Sequence, residues 1–345
     1  MNNLGIVVIG RNEGDRLQQC LLSVGDRIDD VVYVDSGSTD NSVSMAQSLG
    51  VRVVELDLSI PFTAARARNE GFDYLLKINP EIKFVQFVDG DCEIVPGWLE
   101  KAEAKISSSS KLAVVCGRRR ERFPDRSIYN LLCDIEWNTP VGEAKACGGD
   151  AMIKVQAFKQ VEGFNSSLIA GEESELCLRL RGEGWKILRM DLEMTLHDAQ
   201  ITRFSQWWRR SQRSGHAYAE GTWLHGSSPE RHRIKETKSI LLWGLIIPLI
   251  ILGLLLPTHG WSLILLLSYP LMIYKIYRYF RTKFDLKNAL LYAINCIIIK
   301  FPQAQGQIQF YINKILKRQK SIIEYKYSKA KVAPGDSFQS SNFSK

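Results

Sequence analysis

Asp89-Gly90-Asp91 sets two carboxylates one residue apart, directly after the apolar run Phe84-Val85-Gln86-Phe87-Val88. The run reads as a buried strand, and in an open α/β sheet ligands bind at the carboxyl ends of strands. Oxygen ligands on so short a turn suit a hard divalent ion, Mg²⁺ or Mn²⁺, which can also hold a diphosphate. A bare triplet of this kind is more often a solvated turn, so its weight comes from its company. Asp35 ends Val31-Val32-Tyr33-Val34, where a carboxylate can accept from a nucleobase N–H or a ribose hydroxyl. In the same turn Asp40 is the better capping acid. Glu172, Glu173 and Glu175 open a helical stretch, where acids also favour the macrodipole. His197 follows Met194-Thr195-Leu196 and precedes Asp198. A lone histidine is commonly a satisfied polar residue, but this one follows the acidic helix and is a candidate ligand for a metal or diphosphate.

The elements that must hold these groups follow from the apolar pattern. Strands are predicted at residues 4–9, 31–34, 51–54, 84–88, 112–116 and 185–188, with helices at 15–24, 41–49, 64–76, 155–161 and 172–183. Short apolar strands alternating with helices of this length indicate an α/β fold with a mostly parallel, Rossmann-like central sheet. Beyond residue 118 the pattern loosens into an arginine-rich stretch (Arg118, Arg119, Arg120, Arg122) and an expected loop to Pro140.

Charge is uneven along the 345 residues. The net is +8, yet the chain from Lys275 onward carries 14 Lys/Arg against 3 Asp/Glu, which leaves the first 274 residues at −3. A basic tail on an acidic body points to anionic membrane lipids as partners. Without the aromatic-basic pattern of a nucleic-acid reader, no nucleic-acid partner is expected. The seven cysteines lie singly, with no CxxC pair, as in a reducing compartment and without a cysteine metal cluster. Leu4 to Ile9 is too short and lacks the basic flank of a signal peptide. Ser239 to Leu256 is uncharged over 18 residues, and Trp261 to Tyr274 continues apolar after Pro257-Thr258-His259-Gly260. Two transmembrane helices are therefore expected, with basic flanks on the cytoplasmic side. Asn288 to Ile299 is short for a span and fits an interfacial or re-entrant helix or a third span.

Taken together, Asp35-Ser36-Gly37-Ser38-Thr39-Asp40, Arg68-Asn69-Glu70-Gly71, Asp89-Gly90-Asp91 and Glu172-Glu173-Ser174-Glu175-Leu176-Cys177-Leu178-Arg179 occur in an order that resembles family 2 glycosyltransferases of the GT-A fold, over residues 4–220. The resemblance implies an inverting, non-processive enzyme that uses a nucleotide-sugar donor with Mg²⁺ or Mn²⁺. It implies donor contacts from Asp35, Arg68, Asp89 and Asp91, and a metal held by Asp91, Asp89 and His197. The general base falls to Glu173, with Glu172 beside it, since Glu173 stands where the family usually has Asp. Asp150 of Gly148-Gly149-Asp150 and Glu175 are expected on the acceptor side. Gln206-Trp207-Trp208-Arg209 is similar to the chain-binding motif of processive synthases, but Arg210 stands where Trp would follow. That segment is instead expected to be an interfacial helix with Arg209, Arg210 and Arg213 toward lipid phosphates.

The expected organisation is a GT-A catalytic domain over residues 1–225, a basic linker at 226–238, a membrane region at 239–301 and a basic polar tail, partly disordered, at 302–345. The activity implied is sugar transfer to a hydroxyl of a lipid-linked or glycan acceptor at the cytoplasmic face of the cell membrane, in polysaccharide biosynthesis. A polyprenyl-phosphate sugar transferase and a non-catalytic nucleotide-sugar-binding membrane scaffold are the alternatives. Nucleotidyl transfer would need a better phosphate loop than Ile9-Gly10-Arg11-Asn12-Glu13.

Overall fold

The computed structural model of the chain describes residues 3–318 and 322–325. In its first half β1 (Leu4–Gly10), α1 (Asp15–Leu22), β2 (Val31–Asp35), α2 (Ser42–Ser48), β3 (Arg52–Glu55), α3 (Ala64–Ile78) and β4 (Phe84–Asp89) alternate as expected. These strands run parallel in the order β3-β2-β1-β4. All of β2, and all but the last residue of β1 and β4, is buried. Burial on both faces is why their sequences are continuous apolar runs rather than alternating ones. Gly71 lets α3 close on this sheet, because a Cβ there would lie 2.5 Å from Val7 Cγ1 and 2.9 Å from Val34 Cγ2.

The second half holds β5 (Cys92–Ile94), α4 (Trp98–Ser107), β6 (Leu112–Glu121), α5 (Ile128–Trp137), β7 (Gly142–Glu143), β8 (Ala151–Lys154), α6 (Val155–Gln160), α7 (Glu172–Gly182) and β9 (Lys186–His197). The sheet continues from β4 through β8, β6 and β9 to β5, with β7 also on β9. Here the expected mostly parallel sheet must be corrected to a mixed one. β8 is antiparallel to β4 and β6, and β5 and β7 are antiparallel to β9, while β6 and β9 are parallel. Parallel neighbours need crossover connections, and β5, β7 and β8 are entered through turns and loops instead. The expected loop after residue 118 is also corrected. It contains the rest of β6 and all of α5, whose N-cap Ser127 accepts from Asn130 N at 3.0 Å.

Past the sheet come α8 (Phe204–His225), α9 (Ile234–Leu241), a π-helical turn at Leu242–Ile246, α10 (Ile247–Gly253), a 3₁₀ stretch at Trp261–Leu267, α11 (Ser268–Phe280), α12 (Leu286–Ile298) and α13 (Lys300–Ile315). Among the described residues one helix, Ile234–Gly253, is long and apolar enough to cross a membrane. The second expected span begins as the 3₁₀ stretch and becomes α-helical only from Ser268. Residues 302–315, expected in a polar tail, form most of α13 and pack closely on α8. A Cβ on Gly215 would lie 2.0 Å from Gln303 O, and one on Gly306 2.0 Å from Gln212 O, so only glycine permits the crossing. Gly244 in the π-turn meets the start of α13 the same way, 2.2 Å from Lys300 O. α12 buries Ala289, Ala293 and Ile297. The tail beyond residue 318, apart from 322–325, lies outside the described residues.

Candidate active site

Strand register assembles the site. β4 and β8 pair Phe87 with Ala151, so β8 enters the sheet beside the end of β4, and Asp89 N donates to Asp150 Oδ1 at 3.0 Å. β5 and β9 pair Cys92 with His197, which returns His197 to Asp91 across more than a hundred residues of chain. The backbone closes this join, Asp198 N donating to Asp91 O at 3.1 Å. A cavity of about 860 Å³ opens here, lined among others by Asp89, Asp91, Arg119, Glu172, Glu173 and His197.

Asp89 is clamped between two guanidinium groups. Arg68 donates to its Oδ1 at 2.6 Å and Arg119 to its Oδ2 at 3.2 Å. Arg68 also donates to Glu172 Oε1 at 2.6 Å, and it is buried beneath the site rather than lining the cavity. In this structure it holds the two carboxylates together, and its expected donor contact is not among the contacts it makes. Burial works against the Arg68 charge, but Asp89 and Glu172 outweigh it and hold the guanidinium protonated. Arg119 is likewise kept charged against burial, with Asp150 its main partner. The neighbouring motif residue Asn69 fixes the approach to α7, its Nδ2 donating to Phe164 O at 2.7 Å while Phe164 N donates to its Oδ1 at 2.9 Å.

Asp150 is fully buried, and its Oδ2 accepts from Arg119 Nε at 2.9 Å and Thr195 Oγ1 at 2.7 Å. Both its oxygens, expected on the acceptor side, are engaged within the protein, where Asp150 positions Arg119 and the Asp89 backbone. Asp35, expected at the donor, is also engaged within the protein. Its carboxylate accepts from Tyr33 Oη at 2.7 Å, Gly37 N at 2.9 Å and Ser38 N at 2.7 Å, and it is Ser36 that lines the cavity. Asp35 therefore shapes the turn after β2.

The three acids of α7 separate by direction. Helical geometry turns successive residues by 100°, so they cannot share one environment. Glu172 is held by Arg68. Glu175, expected on the acceptor side, pairs with Arg179 Nη2 at 2.7 Å and His225 Nε2 at 2.9 Å and is outside the cavity lining. Glu173 faces the cavity and forms no salt bridge among the described residues. Burial, reinforced by Glu172, pushes its carboxyl above the usual carboxylate range.

In the same cavity His197 Nε2 lies 3.2 Å from Asp91 Oδ2, both groups buried. His197 Nδ1 has no hydrogen-bond partner among the described residues and lies 3.9 Å from Glu121 Oε2. An imidazole nitrogen beside a carboxylate on a cavity wall, with a second carboxylate behind the ring, fits a divalent-metal site. Asp91 and His197 would hold the ion, whereas both oxygens of Asp89 are turned to arginines. Cys92 Sγ stands within 4.8 Å of ligand atoms in two groups, Asp91 with His197 and Asp89 with Asp150. Trp137 of α5 meets the His197 ring edge-on at 4.7 Å, and Arg119 lies over the Trp137 ring at 5.6 Å.

Arg119 and Trp137 were not singled out from sequence. Continuing the β6 strand beyond Cys116 would have alternated the arginines, with Arg119 turned inward and Arg118 and Arg120 toward Asp134. The interfacial reading of α8 is corrected as well. Gln206 caps its own helix by accepting from Arg203 N at 3.0 Å, and Trp207 is buried. Arg210 and Arg213 line the cavity, with Arg210 paired to Glu136 at 2.9 Å.

Residues 5–151 match the family model described as Glycosyl transferase family 2. An uncharacterized glycosyltransferase of Rickettsia felis is 37% identical over 54 residues, which are 16% of this chain and 19% of that protein. A TPR repeat-containing protein of Synechococcus elongatus is 33% identical over 66 residues, 19% of this chain and 16% of that protein. The chain thus matches under a fifth of the length of either relative. Among solved structures, a mannosyltransferase of Pyrobaculum calidifontis in complex with GDP-Man and Mn²⁺ superposes with a TM-score of 0.54 at 16% identity, covering 91% of this chain and 87% of that one. At that identity the likeness is one of fold, and the mixed α/β sheet is GT-A-like.

Proposed function

Because residues 5–151 are a family 2 glycosyltransferase domain, we propose that the chain transfers a sugar from a nucleotide-sugar donor to an acceptor hydroxyl, with inversion, at a membrane surface. The observation that carries this reading is that Glu173 and the Asp91–His197 pair line one cavity. Glu173 is the one acid of its helix turned to the cavity without an ion pair, and its raised affinity for a proton suits a general base. It takes the acceptor proton as the hydroxyl oxygen bonds to the anomeric carbon. The bond from that carbon to the diphosphate oxygen breaks on the opposite face, and the electron pair leaves with the nucleoside diphosphate. A divalent ion at Asp91 and His197 would offset charge on that leaving group. Arg68, Arg119 and Asp150 keep Asp89 and the turn after β4 in place throughout.

Attachment to the membrane rests on the helical hairpin beyond α9. Its tip exposes Leu256 and Trp261, 85% and 75% accessible, and its flanks expose Leu249, Leu252, Leu263 and Ile264. Apolar surface on this scale is not left in water, and Lys235, Lys238, Lys275 and Arg278 at its base fit the cytoplasmic headgroups of anionic lipids. The acceptor is then a lipid-linked or glycan intermediate presented at that face.

A second reading is favoured by Arg189, Arg210, Arg213 and Arg233, all of which line the cavity. They suit a polyprenyl-phosphate acceptor, which is already an anion and needs no general base. Purified protein is expected to turn over a nucleotide-sugar only with Mg²⁺ or Mn²⁺, and Asp91→Asn to abolish this. Full turnover in chelator would overturn the metal role, and near-normal kcat in Glu173→Gln would favour the phosphate acceptor.

A further inference from the structure

Residues 322–325 lie at the cavity, where Ile322, Glu324 and Tyr325 form part of its lining. Glu324 Oε1 accepts from Arg11 Nη1 at 2.9 Å. Arg11 is itself held on the loop after β1, stacked over the Phe62 ring at 4.7 Å and donating from Nε to Gly37 O at 3.3 Å. Tyr325 lies on the opposite wall, packed against the cluster of Cys133, Ala199, Ile201 and Trp207. The short segment therefore reaches both the β1 side and the α5–α8 side of the opening.

Such a strap either fills the site or roofs it, and volume decides between them. About 860 Å³ remains with the segment in place, near the upper end of the roughly 300–1,000 Å³ of ordinary ligand pockets. A nucleotide-sugar has room underneath. Burial pushes the Tyr325 hydroxyl up, while Arg213 and Arg210 act in the opposite sense, so the ring lies among the cationic groups of the cavity.

We propose that Glu324 and Tyr325 are positioning residues for the donor, forming a roof latched by Arg11 that holds the nucleotide-sugar and excludes water during transfer. This rests on the transferase reading above. A wet site loses activated sugar to hydrolysis, so a roof raises the share of turnover that reaches the acceptor.

The test uses the full chain in detergent with Mn²⁺, and Glu324→Gln and Tyr325→Ala beside the wild type. Stabilisation by UDP and GDP, and KM, kcat and the hydrolysed fraction with UDP-glucose and GDP-mannose, are measured for each. The Arg11–Glu324 pair is part-exposed, so Glu324→Gln is expected to raise donor KM by no more than about fivefold. Tyr325→Ala removes a packed aromatic and is expected to raise it about tenfold, with a larger hydrolysed fraction; it also lowers the ligand-free Tm, so the comparison is made at a temperature where both proteins are folded. Equal KM and equal hydrolysis in wild type and both variants would overturn the roof alone. A lower KM with higher kcat in the variants would make the segment a plug and also overturn it. A wild type that neither binds nor turns over any of these probes overturns the transferase reading, and the roof with it.

Discussion

Replacing Arg68 with Met tests the charge lattice under the site. Arg68 is 2% exposed and donates at 2.6 Å to both Asp89 and Glu172. Methionine keeps much of the volume, so the cost is chiefly that of two carboxylates losing their cation. Breaking a buried pair in this way typically costs about 3–5 kcal/mol. Asp89 keeps its contact with Arg119 and its side chain is 25% exposed, which argues for the low end. At roughly 3 kcal/mol, and about 2–4 °C per kcal/mol for a domain of this size, Tm should fall by about 6–12 °C. The assay is thermal unfolding of the ligand-free protein followed by tryptophan fluorescence. Glu172→Gln and the double variant complete a cycle, because a neutral amide at position 172 removes one of the orphaned charges. The double variant should be less destabilised than the sum of the singles by about 1 kcal/mol or more. A fall below about 2 °C, or strict additivity, would refute the claim that Arg68 holds these acids together.

Glu173→Gln should lower kcat by roughly 10²–10⁴-fold with donor KM little changed, and a smaller loss in steady-state kinetics would remove Glu173 as the base. The pH dependence has a definite sign. The native Glu173 carboxyl binds its proton more tightly than in the unfolded chain, so its contribution to stability is full at low pH and is lost as pH rises through the raised value. The acid limb of kcat/KM should accordingly lie above the ordinary carboxylate range, and Glu173→Gln should raise Tm at neutral pH. Gly71→Ala forces a methyl between Val7 and Val34 and should cost about 1–3 kcal/mol in thermal or denaturant unfolding, with an unchanged Tm contradicting the close approach of α3. Leu249→Asp with Leu252→Asp should weaken flotation with anionic vesicles, since an acid inside a span costs up to about 2.5–3.5 kcal/mol in a bilayer. Undiminished flotation would show that the hairpin is not inserted.

How legible each residue was depended on whether its setting is local. Strand ends at Asp35 and Asp89, and the helix opening at Glu172, were legible because an apolar run followed by a polar turn is a short-range signal. Arg119 was missed because the apolar signal of β6 stops at Cys116 while the strand continues to Glu121. The α5 segment was missed for a similar reason, since its short apolar face sits between an arginine run and Pro140.

Sequence by itself determined the α/β alternation, the ordered acidic motifs, the resemblance they carry and the uncharged stretch from Ser239. All of these are patterns of residue type along a chain. Only the tertiary structure decided which acids face the cavity. Antiparallel pairing of β4 with β8 buried Asp150, the turn after β2 consumed Asp35, and Arg68 claimed Glu172. The register of β5 on β9 brought His197 to Asp91, and of the two α7 acids at the cavity Arg68 holds Glu172 and leaves Glu173 without an ion pair among the described residues. A carboxylate's type is written in the sequence, but its direction is set by strand register and by the cations that reach it first.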